Sequence, residues 1–204
     1  LITVLAGVNG AGKSSIAGSN LRALGGTYFN PDEETLALMR SVPGLSLEQA
    51  NVRVWQEGVS RLRTAIADDT DWVFETTLGG RTITNLLLQA IEQGIAIRVW
   101  YCGLNSAEKH IERVRQRAAR GGHDIPEDRI RYRYVTSLKN ICRLAPACDV
   151  LTVYDNSVDM RQGQRPCPER ILQATRGQIE YLPGSPPRWS QPVIGALLPP
   201  TQGQ

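Results

Sequence analysis

The chain has 204 residues, of which 41% are hydrophobic and 21% charged, and its formal net charge is +3. That length suits one domain, or one domain with an appendage, able to bury a sizeable core. The charge is too small to imply nucleic-acid binding, no apolar run reaches the ~18 residues of a membrane span, and no signal peptide is visible; the four cysteines show neither a C-x-x-C pair nor zinc spacing, so a cytoplasmic protein with reduced thiols is expected.

Residues 1–6 (LITVLA) are an apolar run without a turn residue and read as a buried strand. Gly7-Val8-Asn9-Gly10-Ala11-Gly12-Lys13-Ser14 follows and fits G-x-x-x-x-G-K-[ST], the P-loop of ATP- and GTP-using proteins. In such a loop the glycines let backbone N–H groups turn inward to phosphate oxygens. Lys13 would reach the β- and γ-phosphates and the Ser14 hydroxyl would ligate Mg²⁺. Lys13 is the only lysine before Lys109 in a chain that otherwise uses arginine. Gly7, Asn9, Gly10, Ala11, Gly12, Lys13, Ser14 and Ser15 are therefore the candidate nucleotide contacts, with Ser14 the candidate Mg²⁺ ligand.

A helix is expected over 14–24, ended by Gly25-Gly26, then a short strand at 27–30 stopped by Pro31. Asp32-Glu33-Glu34 starts a helix that runs to about residue 40. Ser46 reads as the N-cap of a long helix to about residue 68. Residues 72–76 (WVFET) are the next strand, followed by a helix over 81–93 and a buried strand over 95–102. Helices are expected over 106–120 and 126–143, separated by Gly121-Gly122, and a strand over 149–154. A short last strand is read at 179–182. Residues 183–204 are proline-rich and without clear period, and read as a tail, disordered or laid over the surface. Alternating strands and helices imply a mostly parallel α/β sheet with helices on both faces. The expected domain is 1–182, with the tail at 183–204.

Ligands in such a sheet bind at the carboxyl ends of the strands. There the chain delivers Asn30-Pro31-Asp32, Glu75-Thr76-Thr77 and Asp155-Asn156-Ser157. A kinase needs a carboxylate to orient or deprotonate the acceptor hydroxyl. Asp32 is the candidate, the alternative being a helix N-cap. Glu75 could hold Mg²⁺ through water, bind the acceptor, or be a solvated strand end. Arg113, Arg117 and Arg120 share one helix face, and Arg129 and Arg133 share another. Phosphate is one partner for such a face. A solvated surface paired with Glu112, Asp124, Glu127 and Asp128 is a second reading, and RNA a third, though aromatics for base stacking are few. His123, after the glycine pair, reads as a loop-orienting hydrogen-bonder.

Taken in order, the P-loop at 7–15, Asn30-Pro31-Asp32, Phe74-Glu75-Thr76-Thr77, and the segment from Arg113 through Gly121-Gly122-His123 to Arg133-Tyr134 resemble the zeta-toxin family of P-loop kinases. The resemblance implies a nucleoside-kinase-like P-loop domain that uses ATP and Mg²⁺. It implies transfer of the γ-phosphate to a sugar hydroxyl of UDP-N-acetylglucosamine, and raises an antitoxin protein as a candidate partner. It places Asp32 as base, and Asn30, Glu75, Thr76 and Thr77 at the acceptor. Arg117 and Arg133 become the γ-phosphate arginines, with Arg120 and Arg129 as alternatives, and Arg120 and Asn156 join the nucleotide contacts. Apart from the resemblance, the glycine pair between two arginine-bearing helices permits a hinge, so residues 113–133 are expected to pack over the P-loop edge as a lid. No nucleotide-sugar signature accompanies these motifs, so a kinase for a different small metabolite, or an ATPase without acceptor, stays open. An ABC-type ATPase should carry L-S-G-G-Q and a hydrophobic strand ending in Asp-Glu, and a GTPase N-K-x-D; the chain has none of these.

Overall fold

A computed structural model gives the structure of residues 1–14, 28–122, 124–159 and 167–199. The expected helix over 14–24 with its Gly25-Gly26 end, the candidates Ser15 and His123, and the start of the 27–30 strand lie outside these residues. Six strands form one sheet in the order β2-β1-β3-β4-β5-β6. They are β1 (Ile2–Ala6), β2 (Trp72–Thr76), β3 (Ile97–Gly103), β4 (Val150–Asp155), β5 (Glu169–Thr175) and β6 (Gln178–Tyr181). The first four are mutually parallel, and β5 and β6 are antiparallel additions at one edge. Beyond β2, Phe29 of the expected 27–30 strand makes a parallel bridge to Phe74.

The described helices are α1 (Pro31–Ser41), α2 (Leu47–Ala67), α3 (Arg81–Glu92), α4 (Ala107–Ala119), α5 (Glu127–Leu144) and α6 (Gln191–Leu197). The α2 start follows from its sequence: Ser46 accepts from the Gln49 N–H, and the Gln49 side chain accepts from the Ser46 N–H. Strand register puts Val4, Phe74, Val99 and Leu151 in one row across the sheet. That row is buried together with Val54 and Leu62 of α2, Leu87 and Ala90 of α3, and Ile141 and Leu144 of α5.

Two expectations need correction. Residues 169–175 form β5, which was not foreseen. They pair with β6 through a two-residue turn, Arg176-Gly177, in which both residues have positive φ, the geometry that matches strand twist. Arg-Gly lacks the Asn-Gly or Asp-Gly signature of that turn. The second correction concerns 183–204. Residues 188–190 form a 3-10 turn leading into α6, and Trp189, Val193 and Ile194 are buried in the main core. Three apolar residues spaced i, i+4 and i+5 make one helical face, too short to stand out between prolines.

Candidate active site

The Gly-rich loop leaves β1 at the carboxyl edge. Gly7 has φ +141, and a Cβ there would lie 2.2 Å from the Cys102 carbonyl oxygen of the neighbouring β3, so only glycine fits. Gly10 and Gly12 also have positive φ, +80 and +94. The loop is held from behind: the Ala11 carbonyl accepts from the Cys102 thiol at 3.0 Å and from the Asn156 amide at 2.9 Å. Burial pushes the Cys102 thiol up to about 12, so it stays protonated and can donate.

Lys13 is buried, with Nζ 3.4 Å from both the Val8 carbonyl and Glu75 Oε1. Ser14 Oγ donates to Glu75 Oε2 at 2.8 Å. Glu75 is thus no solvated strand end; it joins the two polar side chains of the loop. Thr76 and Thr77 turn inward on the loop that follows them, accepting from the N–H groups of Leu78 and Gly79 at 3.0 and 3.4 Å. The same loop is fixed by Asn140 of α5, whose amide donates to the carbonyls of Leu78 at 2.8 Å and Gly80 at 3.2 Å.

The N-cap alternative for Asp32 is corrected by the structure. Asn30 caps α1, accepting from the Asp32 N–H at 3.1 Å and the Glu33 N–H at 3.5 Å, with Pro31 in the first helical position. Proline suits that position because its missing N–H would have no partner there. The Asn30 amide nitrogen lies 3.4 Å from the Tyr28 hydroxyl, so both ends of this acceptor candidate have protein partners. The Asp32 carboxylate projects from the first turn instead, and Oδ2 lies 3.1 Å from Arg117 Nη1.

Four arginines of α4 and α5 divide into two sets. Arg115 pairs with Glu127 and Arg131 with Glu108, tying α4 to α5 on the outside. Arg117 and Arg133 point inward, Arg117 to Asp32 and Arg133 Nη1 to Asn9 Oδ1 at 2.7 Å. Burial, then the Arg129 charge, pushes the Arg133 pKa down, and Asp32 opposes the shift. Arg133 also crosses the loop after β2, since a Cβ on Gly79 would lie 2.9 Å from its Cγ. Arg113 turns the other way, with Nη2 donating to the Val158 carbonyl at 3.2 Å and 3.3 Å from Asp159 Oδ1, beside Lys109. Arg120 and Arg129 are exposed, Arg120 at the end of α4.

Sequence reasoning missed His110. It is 1% exposed, and Nδ1 lies 2.8 Å from the Asn9 carbonyl oxygen. A lone histidine in an amphipathic helix carries no signal of that role.

The parallel sheet, the Gly-rich loop with its buried lysine, and the carboxylate and arginines at the same edge define a P-loop kinase-like α/β domain. The chain belongs to the AAA domain family, whose model matches residues 2–133. An uncharacterized protein of Haemophilus influenzae is 29% identical over 128 residues, covering 63% of this chain and 88% of that protein. Among solved structures, the AvrRxo1-ORF1:-ORF2 complex with ATP superposes with a TM-score of 0.65 at 17% identity, over 88% of this chain and 59% of that one. The native complex gives 0.67 at 15%, over 98% and 64%. A structure of the PezAT chromosomal toxin-antitoxin system of Streptococcus pneumoniae gives 0.50 at 13%, over 76% and 66%. At these identities the likeness is one of fold, and this chain spans less than two thirds of the AvrRxo1 chains. Among the described residues no helix is long and apolar enough to cross a membrane, and no three His, Cys, Asp or Glu side chains group to hold a metal.

Proposed function

We propose that the chain is an ATP-dependent small-molecule kinase of zeta-toxin type, transferring the γ-phosphate to a hydroxyl of a sugar or nucleotide sugar. UDP-N-acetylglucosamine is the acceptor the sequence resemblance suggests. The observation that carries the reading is the Asp32–Arg117 pair at 3.1 Å, which joins a carboxylate to an arginine-bearing helix at the strand edge where the Gly-rich loop opens. A protein that only binds ATP has no use for a carboxylate placed there, whereas turnover needs one to orient or deprotonate the attacking hydroxyl.

In this reading the loop N–H groups and Lys13 hold the phosphates. The donor set fits Mg²⁺, which takes one or two protein oxygens plus phosphate and water rather than a full protein cage: Ser14 would supply its hydroxyl, and Glu75, whose Oε2 accepts from Ser14 Oγ at 2.8 Å, would hold water on the ion. Bound Mg²⁺ would neutralise charge building between the β- and γ-phosphates. Asp32 accepts the acceptor hydroxyl's proton once Arg117 turns from it to the γ-phosphate. Arg133 stabilises the same charge. Asn156 backs the loop, and Thr76 and Thr77 shape the acceptor wall. Residues 113–133 act as the lid, turning about Gly121, which has φ +90.

A protein partner of antitoxin type belongs to the same proposal, prompted by the paired complexes among the structural relatives. A cytoplasmic location goes with it. The deciding experiment is incubation with ATP·Mg²⁺ and a metabolite pool, with mass spectrometry to find the phosphorylated species. Appearance of a phosphorylated metabolite that is lost in Asp32→Asn supports the kinase. ATP hydrolysis unaffected by any metabolite favours the second reading, an ATPase without acceptor.

A further inference from the structure

Asn9 is gripped from two helices at once. His110 of α4 meets its carbonyl oxygen at 2.8 Å, and Arg133 of α5 donates to its side-chain oxygen at 2.7 Å. The two grips are themselves linked, because the His110 ring packs edge-on against Tyr134, the residue after Arg133, with centroids 5.7 Å apart. The next loop residue, Gly10, sits directly on α4: a Cβ there would lie 2.9 Å from the His110 carbonyl oxygen and 3.4 Å from Arg113 Cβ.

We infer that His110 is a positioning residue for phosphate binding, acting through the Asn9–Gly10 peptide, and that Asn9 couples this peptide to Arg133. A carbonyl oxygen can only accept, so the imidazole must donate through Nδ1–H. A trans peptide points its C=O and the following N–H in opposite directions. Holding the Asn9 carbonyl against α4 therefore turns the Gly10 N–H away from that helix and into the bend of the loop, where it serves as a phosphate donor. Without the tether this peptide is free to rotate, and flipping it would present an oxygen to the phosphate instead of a hydrogen. Burial, with Lys13 and Arg113 adding to it against the hydrogen bond to Asn9, pushes the His110 pKa down to about 4, so the ring is neutral at ordinary pH. It brings no charge to the site; it contributes one directed hydrogen bond.

The inference rests on the nucleotide-binding part of the proposed function, and its test separates the two. ADP carries a β-phosphate for the loop to hold, whereas AMP does not. The variants are His110→Phe, which keeps volume without a donor; His110→Asn, whose amide N–H falls near Nδ1–H; and His110→Gln, whose amide falls near Nε2. His110→Phe is expected to weaken ADP binding about tenfold or more, the loss of one directed hydrogen bond. AMP should stay within about twofold, His110→Asn should recover most of the ADP affinity, and His110→Gln should not. A merely structural histidine would lower the melting temperature and weaken both nucleotides alike in all three variants, and that result overturns the inference, as does ADP binding unchanged in His110→Phe. Independently, ¹⁵N spectra of the wild-type imidazole should show a protonated Nδ1. A proton on Nε2 alone overturns the tether even if the Phe variant does not fold. Wild-type protein that binds neither ADP nor ATP would instead overturn the kinase reading, with the ring spectrum still deciding the tether.

Discussion

Arg117 Nη1 lies 3.1 Å from Asp32 Oδ2 although the two residues are 85 positions apart. The pair spans from the first turn of α1 to the last turn of α4, and its side chains are 44% and 40% exposed. At that exposure an ion pair contributes little to stability, about 0–1 kcal/mol. Its meaning is positional: the proposed base and the proposed phosphate arginine neutralise one another.

Asp32→Asn should therefore lower kcat by about 10² or more while leaving nucleotide affinity nearly unchanged. Melting temperature should hardly move, because Asn30 is the helix cap. Asn30→Ala should do the reverse to stability, losing about 1 kcal/mol. Steady-state kinetics and thermal melts on both variants check the pair of outcomes; a large stability loss in Asp32→Asn would count against a catalytic role.

Lys13→Ala should abolish turnover and weaken ATP binding. It also strips Glu75 of its cation, leaving a buried carboxylate with the Ser14 hydroxyl. Calorimetric ATP titration and a turnover assay test this, and unchanged turnover would rule out the P-loop reading.

Arg117→Ala and Arg133→Ala should each slow transfer by about 10²-fold or more, as expected for a lost transition-state charge partner. ADP affinity should stay within a few-fold for Arg117→Ala, since ADP lacks the γ-phosphate. Arg115→Ala and Arg131→Ala, on the outer set, should leave transfer unchanged. An RNA-binding face would treat all four alike, each lowering a salt-dependent affinity. Single-turnover rates on the four variants separate these cases.

Stability should fall with acid in a defined window. His110 has a folded pKa of about 4, below its unfolded value of 6.5. Between those values the unfolded chain binds the proton that the folded chain refuses, so stability is lost as pH drops from about 6.5 to about 4 and is level above. Denaturant melts between pH 7 and 5, where most carboxylates remain ionised, should show the slope, and His110→Asn should flatten it.

Much of the sheet and of the Gly-rich loop was legible because both have local causes. An apolar run, a fixed glycine spacing and capping residues such as Ser46 act within a few positions. Strands β1 to β4 and the described helices between them follow that rule. What escaped depends on distant partners. Strand β5 is specified by pairing with β4 and by a turn whose residues lack the usual signature. His110 gains its role only when α4 lies against Asn9, 101 positions earlier. The division of the arginines into an outer set and an inner set is likewise set by how α4 and α5 dock, which helical spacing alone does not give.

Trp189 buttresses the strand edge behind the Gly-rich loop. Its ring lies so close over Gly103 that a Cβ there would sit 2.3 Å from it, and its indole N–H donates to Asp155 at 3.1 Å. The next residue, Asn156, holds the Ala11 carbonyl behind the Gly-rich loop. Residues 188–197 are translated after all six strands. A nascent chain on the ribosome therefore carries its Gly-rich loop long before that far buttress is made, and the packing behind the loop is complete only when the segment around Trp189 has cleared the exit tunnel.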